Sequence, residues 1–358
     1  MTLKLNKLIL VNYLEVLLNQ QSLEDIRQKI EILQQILENQ VNDIIDVFNI
    51  IDNRVVVEFD KEYLLSELEQ IKNSKTIERS KYYIRRLFKS ITEKKTGKIN
   101  DINLNRWKEY EEIITDSLWI FDKRDTSGSH RAWYWGNFIP QIPRQMMLRY
   151  TKQGEWVLDP FLGSGTTLIE CRRLGRNGIG VELNHEVANK SKSIIENEIN
   201  PFNVITDVII GDSTKIDFKK IVQDRGIKKV QLIIMHPPYH NIIKFSDNPQ
   251  DLSNCSSESE FLDLFGKVIE NTYDILEKGR FLVVVIGDKY ENGEWIPLGF
   301  YTMQKVLNMG GYRLKSIIVK NIENTQGKRN QEELWRYRAL VGGFYVFKHE
   351  YIFLFQKT

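Results

Sequence analysis

The sequence contains little cysteine and no long apolar run, and these absences exclude several classes of protein. Only two cysteines, Cys171 and Cys255, occur in 358 residues. This is too few for a disulfide framework or a cysteine-based metal site, and we predict no metal site. No run approaches the roughly 18 apolar residues that a membrane span needs. The N-terminus shows no cleavage site of a secretory signal. These absences predict a cytoplasmic protein that does not enter a membrane.

A strong charge of one sign is also missing. The formal net charge is +2, with 42% hydrophobic and 27% charged residues, which is ordinary for a globular protein. Net charge therefore gives no evidence of a nucleic-acid partner, and only a local concentration of positive charge would indicate one. The length allows two domains, or one domain with a large extension.

Glycine and proline are scarce in the first third of the chain. Gly97 is the single glycine before Gly128, and no proline occurs there. We predict a mainly α-helical N-terminal domain over residues 1–126. Ser22 resembles a helix N-cap, and apolar residues then recur at spacings of three and four: Leu23, Ile26, Ile30, Leu33 and Leu37. This stripe predicts either one face of a helical bundle or a self-associating coiled coil, so both a monomer and a homodimer remain open.

Positive charge is concentrated between Lys75 and Lys98, where nine basic residues stand against Glu78 and Glu93. Tyr82, Tyr83 and Phe88 are interleaved with them. Basic residues displace the counterions of a phosphate backbone, and aromatic rings can stack on bases. The candidate contacts are Arg79, Lys81, Arg85, Arg86 and Lys89. The alternative is a solvated helix face with no partner.

Glycine, proline and short apolar runs appear from Ser127 onward. Seven runs resemble strands: 157–158, 177–182, 204–210, 230–235, 280–286, 312–320 and 350–356. Helix-like segments lie between several of them, and this alternation predicts a doubly wound α/β sheet with helices on both faces. We therefore expect a second domain over residues 127–358.

The first of these strands ends in a glycine loop, Asp159-Pro-Phe-Leu-Gly-Ser-Gly-Thr-Thr167. Gly163 and Gly165 permit positive φ and a close approach of the backbone to a ligand. Thr166 and Thr167 can cap the helix that follows. The loop lacks the lysine of a phosphate-binding loop. It therefore favours a cofactor without a triphosphate.

A second informative run, Leu232-Ile-Ile-Met-His-Pro-Pro-Tyr239, lies about 75 residues further on. It consists of a buried-strand pattern followed by two prolines, which fix the backbone, and an aromatic residue. Together the two runs resemble the signature motifs of the amino-group methyltransferases that use S-adenosylmethionine and act on adenine N6 or cytosine N4 in DNA. The resemblance covers roughly residues 127–358 and implies a Rossmann-like, seven-stranded catalytic domain.

The resemblance also implies which residues hold S-adenosylmethionine. The glycine loop supplies a set that shares the first strand end: Asp159, Pro160, Phe161, Gly163, Ser164, Gly165, Thr166 and Thr167. Glu182, at the end of the second strand, is implied to bind the ribose hydroxyls. Asp212 and Ser213 follow the third strand and are implied to lie beside the adenine. An upstream segment resembles the motif at the methionine end and contributes Phe138, Ile139 and Pro140.

The catalytic residues implied by the resemblance are His236, Pro237, Pro238 and Tyr239. The amine of a base is a poor nucleophile, and hydrogen-bond acceptors on the enzyme can assist it. The Pro237 carbonyl is the implied acceptor, and Tyr239 the stacking platform for a flipped-out base. The family usually has Asp, Asn or Ser where this chain has His236. A neutral imidazole can accept one hydrogen bond, or His236 only orients the turn.

His236 blocks the usual inference about the target base, so adenine N6 is favoured over cytosine N4 on family frequency alone. We predict a site-specific DNA methyltransferase, with duplex DNA and a cognate restriction nuclease as candidate partners. The alternatives are an RNA or protein-glutamine methyltransferase, or a catalytically silent subunit that binds cofactor and DNA.

Two further segments are candidates for DNA contact. Lys244 begins a polar stretch after the catalytic run, and the segment 324–343, which we expect to be irregular, carries Arg329, Arg336 and Arg338. His349-Glu350-Tyr351 precedes the last predicted strand and resembles a late family motif. The N-terminal domain is the only block large enough for a separate recognition or assembly domain.

Overall fold

The protein is described by a computed structural model that covers residues 1–40, 45–50, 52, 55–321 and 332–358. These residues form two compact units. The N-terminal unit comprises Met1–Lys98 and Ile102–Glu112, and the sheet unit comprises Ile99–Asp101 and Ile113–Thr358.

The N-terminal unit is mainly helical. Its helices are α1 (Lys7–Leu18), α2 (Leu23–Asn39), α3 (Lys61–Lys72) and α4 (Ile77–Thr92), and its strands β1 (Thr2–Asn6) and β2 (Val56–Asp60) pair antiparallel. The Ser22 hydroxyl caps α2 by accepting hydrogen bonds from the backbone N–H groups of Glu24 and Asp25. The apolar stripe of α2 is buried in the core of this unit, which agrees with the bundle interpretation. The strand pair was not predicted.

The sheet unit is built on a central sheet whose strand order is β3-β11-β12-β8-β7-β4-β5-β6. The strands are β3 (Leu118–Trp119), β4 (Trp156–Asp159), β5 (Asn177–Glu182), β6 (Thr206–Ile210), β7 (Val230–Met235), β8 (Leu276–Ile286), β11 (Tyr312–Asn321) and β12 (His349–Lys357). A separate antiparallel pair consists of β9 (Lys289–Glu291) and β10 (Glu294–Ile296). The predicted Rossmann-like fold is confirmed, and each of the seven predicted strands is present.

The strand order reverses at β4, which pairs in parallel with β5 on one side and with β7 on the other. Ligands of open α/β sheets bind beyond the carboxyl ends of the strands at such a switch point. The glycine loop follows β4, and the run His236–Tyr239 follows β7. The fold therefore places the two most informative runs of the sequence side by side.

The sheet unit contains seven α-helices in its described residues. They are α5 (Gln141–Tyr150), α6 (Thr166–Leu174), α7 (His185–Glu196), α8 (Phe218–Gln223), α9 (Glu258–Tyr273), α10 (Leu298–Asn308) and α11 (Glu332–Gly342). All but the exposed α11 pack around the central sheet. Strand β8 shows how the core divides. Leu282 and Val284 face one apolar cluster, and Val283 and Val285 face the other. A strand buried on both faces needs a continuous apolar run rather than an alternating one.

Two details differ from the expectations. The described part of the segment 324–343 contains the helix α11 rather than irregular structure, because Glu332 to Val341 contains no glycine or proline and several strong helix formers. The eighth strand, β3, is two residues long and was not predicted. None of the helices in the described ranges combines the length and apolar character needed to cross a membrane.

Candidate active site

A cavity of about 1000 Å³ opens at the carboxyl end of the sheet. Its walls come from the loops after β4, β5, β6 and β7, from the segment 121–139, and from the ends of β11 and β12. This volume is at the upper end of the range for pockets that hold one small molecule. The cavity can therefore accommodate a cofactor together with a second group.

The loop after β4 is organised by a buried carboxyl group. Asp159 is fully buried, and its oxygens accept hydrogen bonds from the Phe161 N–H at 3.0 Å and the Thr167 hydroxyl at 2.5 Å. Burial raises the pKa of Asp159 to about 7. The cavity surface is formed by Pro160, Phe161, Leu162, Gly163 and Ser164. Asp159 and Thr167 thus support the loop from behind.

The glycines of the loop are required by its shape. Gly163 has φ +51° and Gly165 has φ +84°, which L side chains rarely adopt. A Cβ on Gly163 would lie 3.0 Å from Cε1 of Tyr134, and one on Gly165 would lie 2.8 Å from Cδ1 of Ile195. Gly163 therefore exposes backbone at the cavity beside Tyr134, and Gly165 lets the loop pack closely against α7.

The expected capping by Thr166 and Thr167 is wrong. Helix α6 begins after Gly165, whose left-handed conformation offers no side-chain cap. The Thr167 hydroxyl instead donates a hydrogen bond to the Asp159 carboxyl group, and the Thr166 hydroxyl lies 3.0 Å from the Ser164 hydroxyl. Both threonines stabilise the loop itself and leave the first N–H groups of α6 without a side-chain acceptor.

Two carboxylates follow the next strands. The oxygens of Glu182 accept hydrogen bonds from the backbone N–H groups of Gly163 and Asn184, each at 2.9 Å, and burial raises its pKa. Burial also raises the pKa of Asp212, but hydrogen bonds from Thr214 and Lys215 hold it below its ordinary value. The Ser213 hydroxyl donates to the carbonyl of Pro160 at 2.7 Å. Glu182, Asp212 and Ser213 all line the cavity.

The upstream segment closes this end of the cavity. Phe138 and Ile139 line it, whereas Pro140 leads into α5. The Asn137 amide donates to the Ser164 hydroxyl at 3.0 Å, and the Arg124 guanidinium donates to the carbonyl of Phe138 at 2.9 Å. The Asn137 bond ties the segment to the glycine loop, and the Arg124 bond braces the segment itself.

The run after β7 forms the opposite wall. His236, Pro237, Pro238 and Tyr239 all line the cavity. The His236 ring packs edge-on against Phe138 and Tyr239, with centroid distances of 5.0 and 5.5 Å. Burial lowers the pKa of His236 to about 4, although the Glu350 carboxylate opposes this effect. The imidazole is therefore neutral at pH 7 and has one acceptor nitrogen.

Two residues of this wall were missed as site residues by sequence reasoning. Glu350 of β12 and Lys320 of β11 are almost fully buried and line the cavity. The Glu350 carboxylate accepts hydrogen bonds from the Tyr239 hydroxyl and the Lys320 ammonium, each at 2.8 Å. The available signal was a charged residue at the end of each of two apolar strands, since buried charges are usually paired.

The candidate nucleic-acid contacts occupy separate elements. Helix α4 carries Arg79, Lys81, Arg85, Arg86 and Lys89. Arg85 and Lys89 are exposed, whereas Arg86 binds the buried Glu67 carboxylate. Arg79 donates to the Tyr83 hydroxyl at 2.9 Å. The basic helix therefore has both structural and solvent-facing cations.

The other predicted contacts lie in the sheet unit. Lys244 is exposed and forms an ion pair with Asp247. Arg336 and Arg338 belong to α11, whose Trp335 lines the cavity, and the Arg338 guanidinium lies 5.2 Å from the Trp335 ring centroid. Arg329 lies outside the described residues.

One cluster of side chains has the atom types that can bind a metal ion. It consists of Asp125, His130 and Glu170, whose candidate ligand atoms lie within 4.8 Å of one another. Arg173 lies 3.3 Å from the Asp125 carboxylate and 3.4 Å from that of Glu170. The Arg173 guanidinium thus already supplies a positive charge to these two carboxylates, as a bound metal ion would.

The doubly wound sheet, with its glycine loop at the switch point, defines the class of Rossmann-like methyltransferases whose cofactor is S-adenosylmethionine. The sequence model of the DNA methylase family matches residues 5–193 and 230–358, and the chain belongs to this family. The match extends beyond residues 127–358, to which the motif resemblance was limited, and includes most of the N-terminal unit.

Curated relatives share parts of the chain. The Type II methyltransferase M.MjaII of Methanocaldococcus jannaschii is 43% identical over 212 residues, which are 56% of this chain and 33% of that protein. The Type II methyltransferase M.HpaI of Haemophilus parainfluenzae is 40% identical over 63 residues, which are 18% of this chain and 20% of that protein. The chain thus matches a third or less of the length of these relatives.

Two further similarities are more distant. The tRNA (guanine(10)-N2)-dimethyltransferase of Methanocaldococcus jannaschii is 32% identical over 105 residues, 29% of each chain. A solved S-adenosylmethionine-dependent methyltransferase from Methanosarcina mazei is 11% identical with a TM-score of 0.40, over 59% of this chain and 96% of that chain.

Proposed function

We propose that the protein transfers a methyl group from S-adenosylmethionine to the exocyclic amino group of a base in duplex DNA. The observation that carries this proposal is the sharing of one cavity by the glycine loop after β4 and the His236–Tyr239 run after β7. Cofactor and amine must meet within bonding distance, and adjacent strand ends provide that proximity.

The cofactor end of the cavity fits S-adenosylmethionine. Gly163 and Ser164 present backbone without a lysine, so the loop suits a ligand that lacks a triphosphate. Glu182 and Asp212 offer carboxylate oxygens along the same wall, which suit ribose hydroxyls and an adenine amine. Phe138 and Ile139 provide an apolar surface for the methionine end. The other loop residues of the predicted set act through the shape of the loop.

The opposite wall fits an amine. S-adenosylmethionine supplies a methyl group on a positively charged sulfur. A bond from the amine nitrogen to the methyl carbon would form as the carbon–sulfur bond breaks, so that S-adenosylhomocysteine leaves with the electron pair on its neutral sulfur and the nitrogen releases one proton to solvent. The Pro237 carbonyl and an unprotonated nitrogen of His236 accept hydrogen bonds from the amine and orient its lone pair. The Tyr239 ring supports the base. A base inside a duplex cannot reach this wall, so the target is rotated out of the stack.

Adenine N6 and cytosine N4 are both amines beside an unprotonated ring nitrogen, and both fit this arrangement. We propose adenine N6, which is the more frequent target in the family. A genomic setting beside a cognate restriction nuclease belongs to the same proposal, since the relatives above carry the name Type II methyltransferase.

Structured RNA is the second candidate substrate, because a tRNA (guanine(10)-N2)-dimethyltransferase is among the relatives. A protein glutamine side chain or a silent binding subunit has less support. The position of His236 in the cavity wall beside Pro237 and Tyr239 favours an active site over a silent one.

The basic face of α4 and the helix α11 are the proposed DNA contacts. Arg79, Arg85 and Lys89 lie on solvent-exposed positions of α4, where cations can replace phosphate counterions. Arg336 and Arg338 share α11 with Trp335, a residue of the cavity wall. Lys244 is a third candidate.

The test is methyl transfer from isotopically labelled S-adenosylmethionine to mixed-sequence duplex DNA and, in parallel, to structured RNA. Digestion and mass spectrometry of the nucleosides then identify the product. We expect N6-methyladenine from DNA. N4-methylcytosine would instead overturn only the choice of adenine and would leave the proposed DNA methyl transfer intact. Label in RNA only, or no transfer despite cofactor binding, would contradict the proposal.

A further inference from the structure

Four polar side chains form a continuous chain of hydrogen bonds at the amine end of the cavity. We propose that Glu350 is a positioning residue: acting through Tyr239, it holds His236 in the tautomer with hydrogen on Nε2, so that Nδ1 is the acceptor for the target amine. This inference rests on the proposed function for its catalytic consequence. The tautomer itself can be measured without any activity.

The chain begins at two neighbouring strands. Lys320 of β11 and Glu350 of β12 are directly paired across the antiparallel ladder, and the Lys320 ammonium donates to Oε1 of Glu350 at 2.8 Å. Burial raises the pKa of Glu350, but the Lys320 charge, His236 and the hydrogen bonds from Lys320 and Tyr239 together hold this pKa below its ordinary value. The buried carboxyl group is therefore ionised, and it acts only as a hydrogen-bond acceptor.

Tyr239 transmits the effect of this carboxylate. Its hydroxyl lies 2.8 Å from Oε2 of Glu350 and 3.1 Å from Nε2 of His236. Burial and the adjacent Glu350 charge raise the pKa of Tyr239 well above its ordinary value, so the hydroxyl keeps its proton. A carboxylate can only accept, and therefore the single hydroxyl hydrogen of Tyr239 is donated to Glu350.

The number of available hydrogen-bond donors then determines the tautomer of His236. Because the Tyr239 hydrogen is committed to Glu350, the Tyr239 oxygen can only accept from the imidazole, and Nε2 of His236 must carry the hydrogen. A neutral ring with hydrogen on Nε2 has its lone pair on Nδ1. His236 lines the cavity, so Nδ1 is the nitrogen left for a ligand.

The surroundings of His236 keep the ring neutral. The charged groups facing it are Glu350 and Lys320, and their effects on its pKa oppose each other. The Phe138 ring packs edge-on at a centroid distance of 5.0 Å and removes solvent. Glu350 thus acts on His236 through two hydrogen bonds, whereas the Asp that is usual at this position in the family would contact the amine directly.

Gly287 makes the arrangement sterically possible. A Cβ at this position of the chain would lie 2.9 Å from Cε2 of Tyr239. The Tyr239 ring can therefore pack against the backbone that follows β8, which brings its hydroxyl to Glu350. The small size of Gly287 after β8 is therefore needed for Tyr239, in the loop after β7, to reach Glu350 at the start of β12.

The first test is the nitrogen NMR spectrum of the wild-type protein labelled with ¹⁵N-histidine at pH 7.5. The chain has five histidines, and a His236→Asn variant assigns the His236 signals. We expect a pyridine-type resonance for Nδ1 and a pyrrole-type resonance for Nε2. The reverse pattern, or a protonated ring, would overturn the proposal whether or not the protein methylates DNA.

The second test compares Glu350→Gln and Tyr239→Phe with the wild type. Both changes keep size and shape but break the relay, so the Nδ1 signal should lose its pure pyridine character. We expect kcat to fall on the order of 10²- to 10⁴-fold, with an unchanged Kd for S-adenosylmethionine. Wild-type kcat in Glu350→Gln would overturn the positioning role.

The matched control is Glu291→Gln. Glu291 also pairs with a buried lysine, Lys289, at 2.7 Å, but we assign it no part in the cavity. This variant should keep the wild-type kcat and the wild-type tautomer. A wild type inactive on every DNA would refute the proposed function, and the NMR result would still decide the tautomer.

Discussion

The two ends of the cavity are built in different ways, although both follow strands of the same sheet. At the cofactor end most supporting bonds join residues closer in sequence: Asp159 binds Thr167 eight residues away and Glu182 binds Gly163 nineteen residues away, whereas the Ser213 bond to Pro160 spans 53 residues. At the amine end Tyr239 binds Glu350, which is 111 residues further along the chain. One end is therefore assembled mainly by local contacts and the other by the tertiary fold.

This difference has a functional consequence. The glycine loop can keep much of its shape when its own motif is intact, because the Asp159–Thr167 hydrogen bond lies within that motif. The amine end depends on the register of β11 and β12, which places Lys320 opposite Glu350. Since β-strand side chains alternate, a slip of one residue would point Glu350 to the other face of the sheet. Changes at the two ends should therefore separate cofactor binding from turnover.

The largest effect should come from the amine end. We expect His236→Ala to lower kcat by on the order of 10²- to 10⁴-fold, because the amine loses an aligned acceptor. The Kd of S-adenosylmethionine should change little, because the Gly163 backbone and the Glu182 and Asp212 carboxylates proposed to hold it are unaltered. Steady-state kinetics and calorimetric titration measure the two quantities. The control is His185→Ala, at an exposed position of α7, and a wild-type kcat in His236→Ala would contradict the comparison.

The reverse separation should follow from the cofactor end. Glu182→Ala removes a carboxylate that faces the cavity and bonds the glycine loop. Hydrogen bonds to charged groups contribute about 1.5–3 kcal/mol, so we expect S-adenosylmethionine to bind about 10- to 100-fold more weakly. Glu186→Ala, at an exposed site in the first turn of α7, is the control. Equal Kd values for Glu182→Ala and Glu186→Ala would show that Glu182 does not contribute to the binding of S-adenosylmethionine.

A smaller effect is expected from the basic helix of the N-terminal unit. Each phosphate contact contributes about −0.9 to the slope of log K against log salt, so Arg85→Gln with Lys89→Gln should reduce the slope for duplex DNA by about 2. The control is Lys4→Gln with Lys7→Gln, which removes the same charge from β1 and α1. Equal slopes for both double variants would assign α4 the solvated-face role instead.

The smallest effect concerns pH. With a pKa of about 4, only about 3% of His236 is protonated at pH 5.5, against about 90% for a histidine with the ordinary value near 6.5. A lowered pKa favours the neutral ring, so the Nδ1 acceptor should persist as the pH falls from 8 to 5.5. Turnover at saturating substrates measures this. A half-loss near pH 6.5 that disappears in His236→Asp would contradict the environment described for His236.

The sequence predicted most of the fold and one end of the site. Seven strands and the glycine loop could be predicted because apolar periodicity and glycine spacing are local properties. The helix α11 was missed because its charged and aromatic residues form no clear apolar stripe. Glu350 was noticed only as part of a late motif, and Lys320 as part of a strand, because their roles depend on a cross-strand register that pattern analysis does not supply.

The most direct test of this account is a double-mutant cycle on kcat between Glu350→Gln and His236→Ala. If Glu350 acts through the His236 ring, the double variant should be no slower than His236→Ala alone, because the second change then removes nothing further. Additive losses from the two changes would mean that Glu350 contributes independently of His236, and would contradict the relay that defines the amine end.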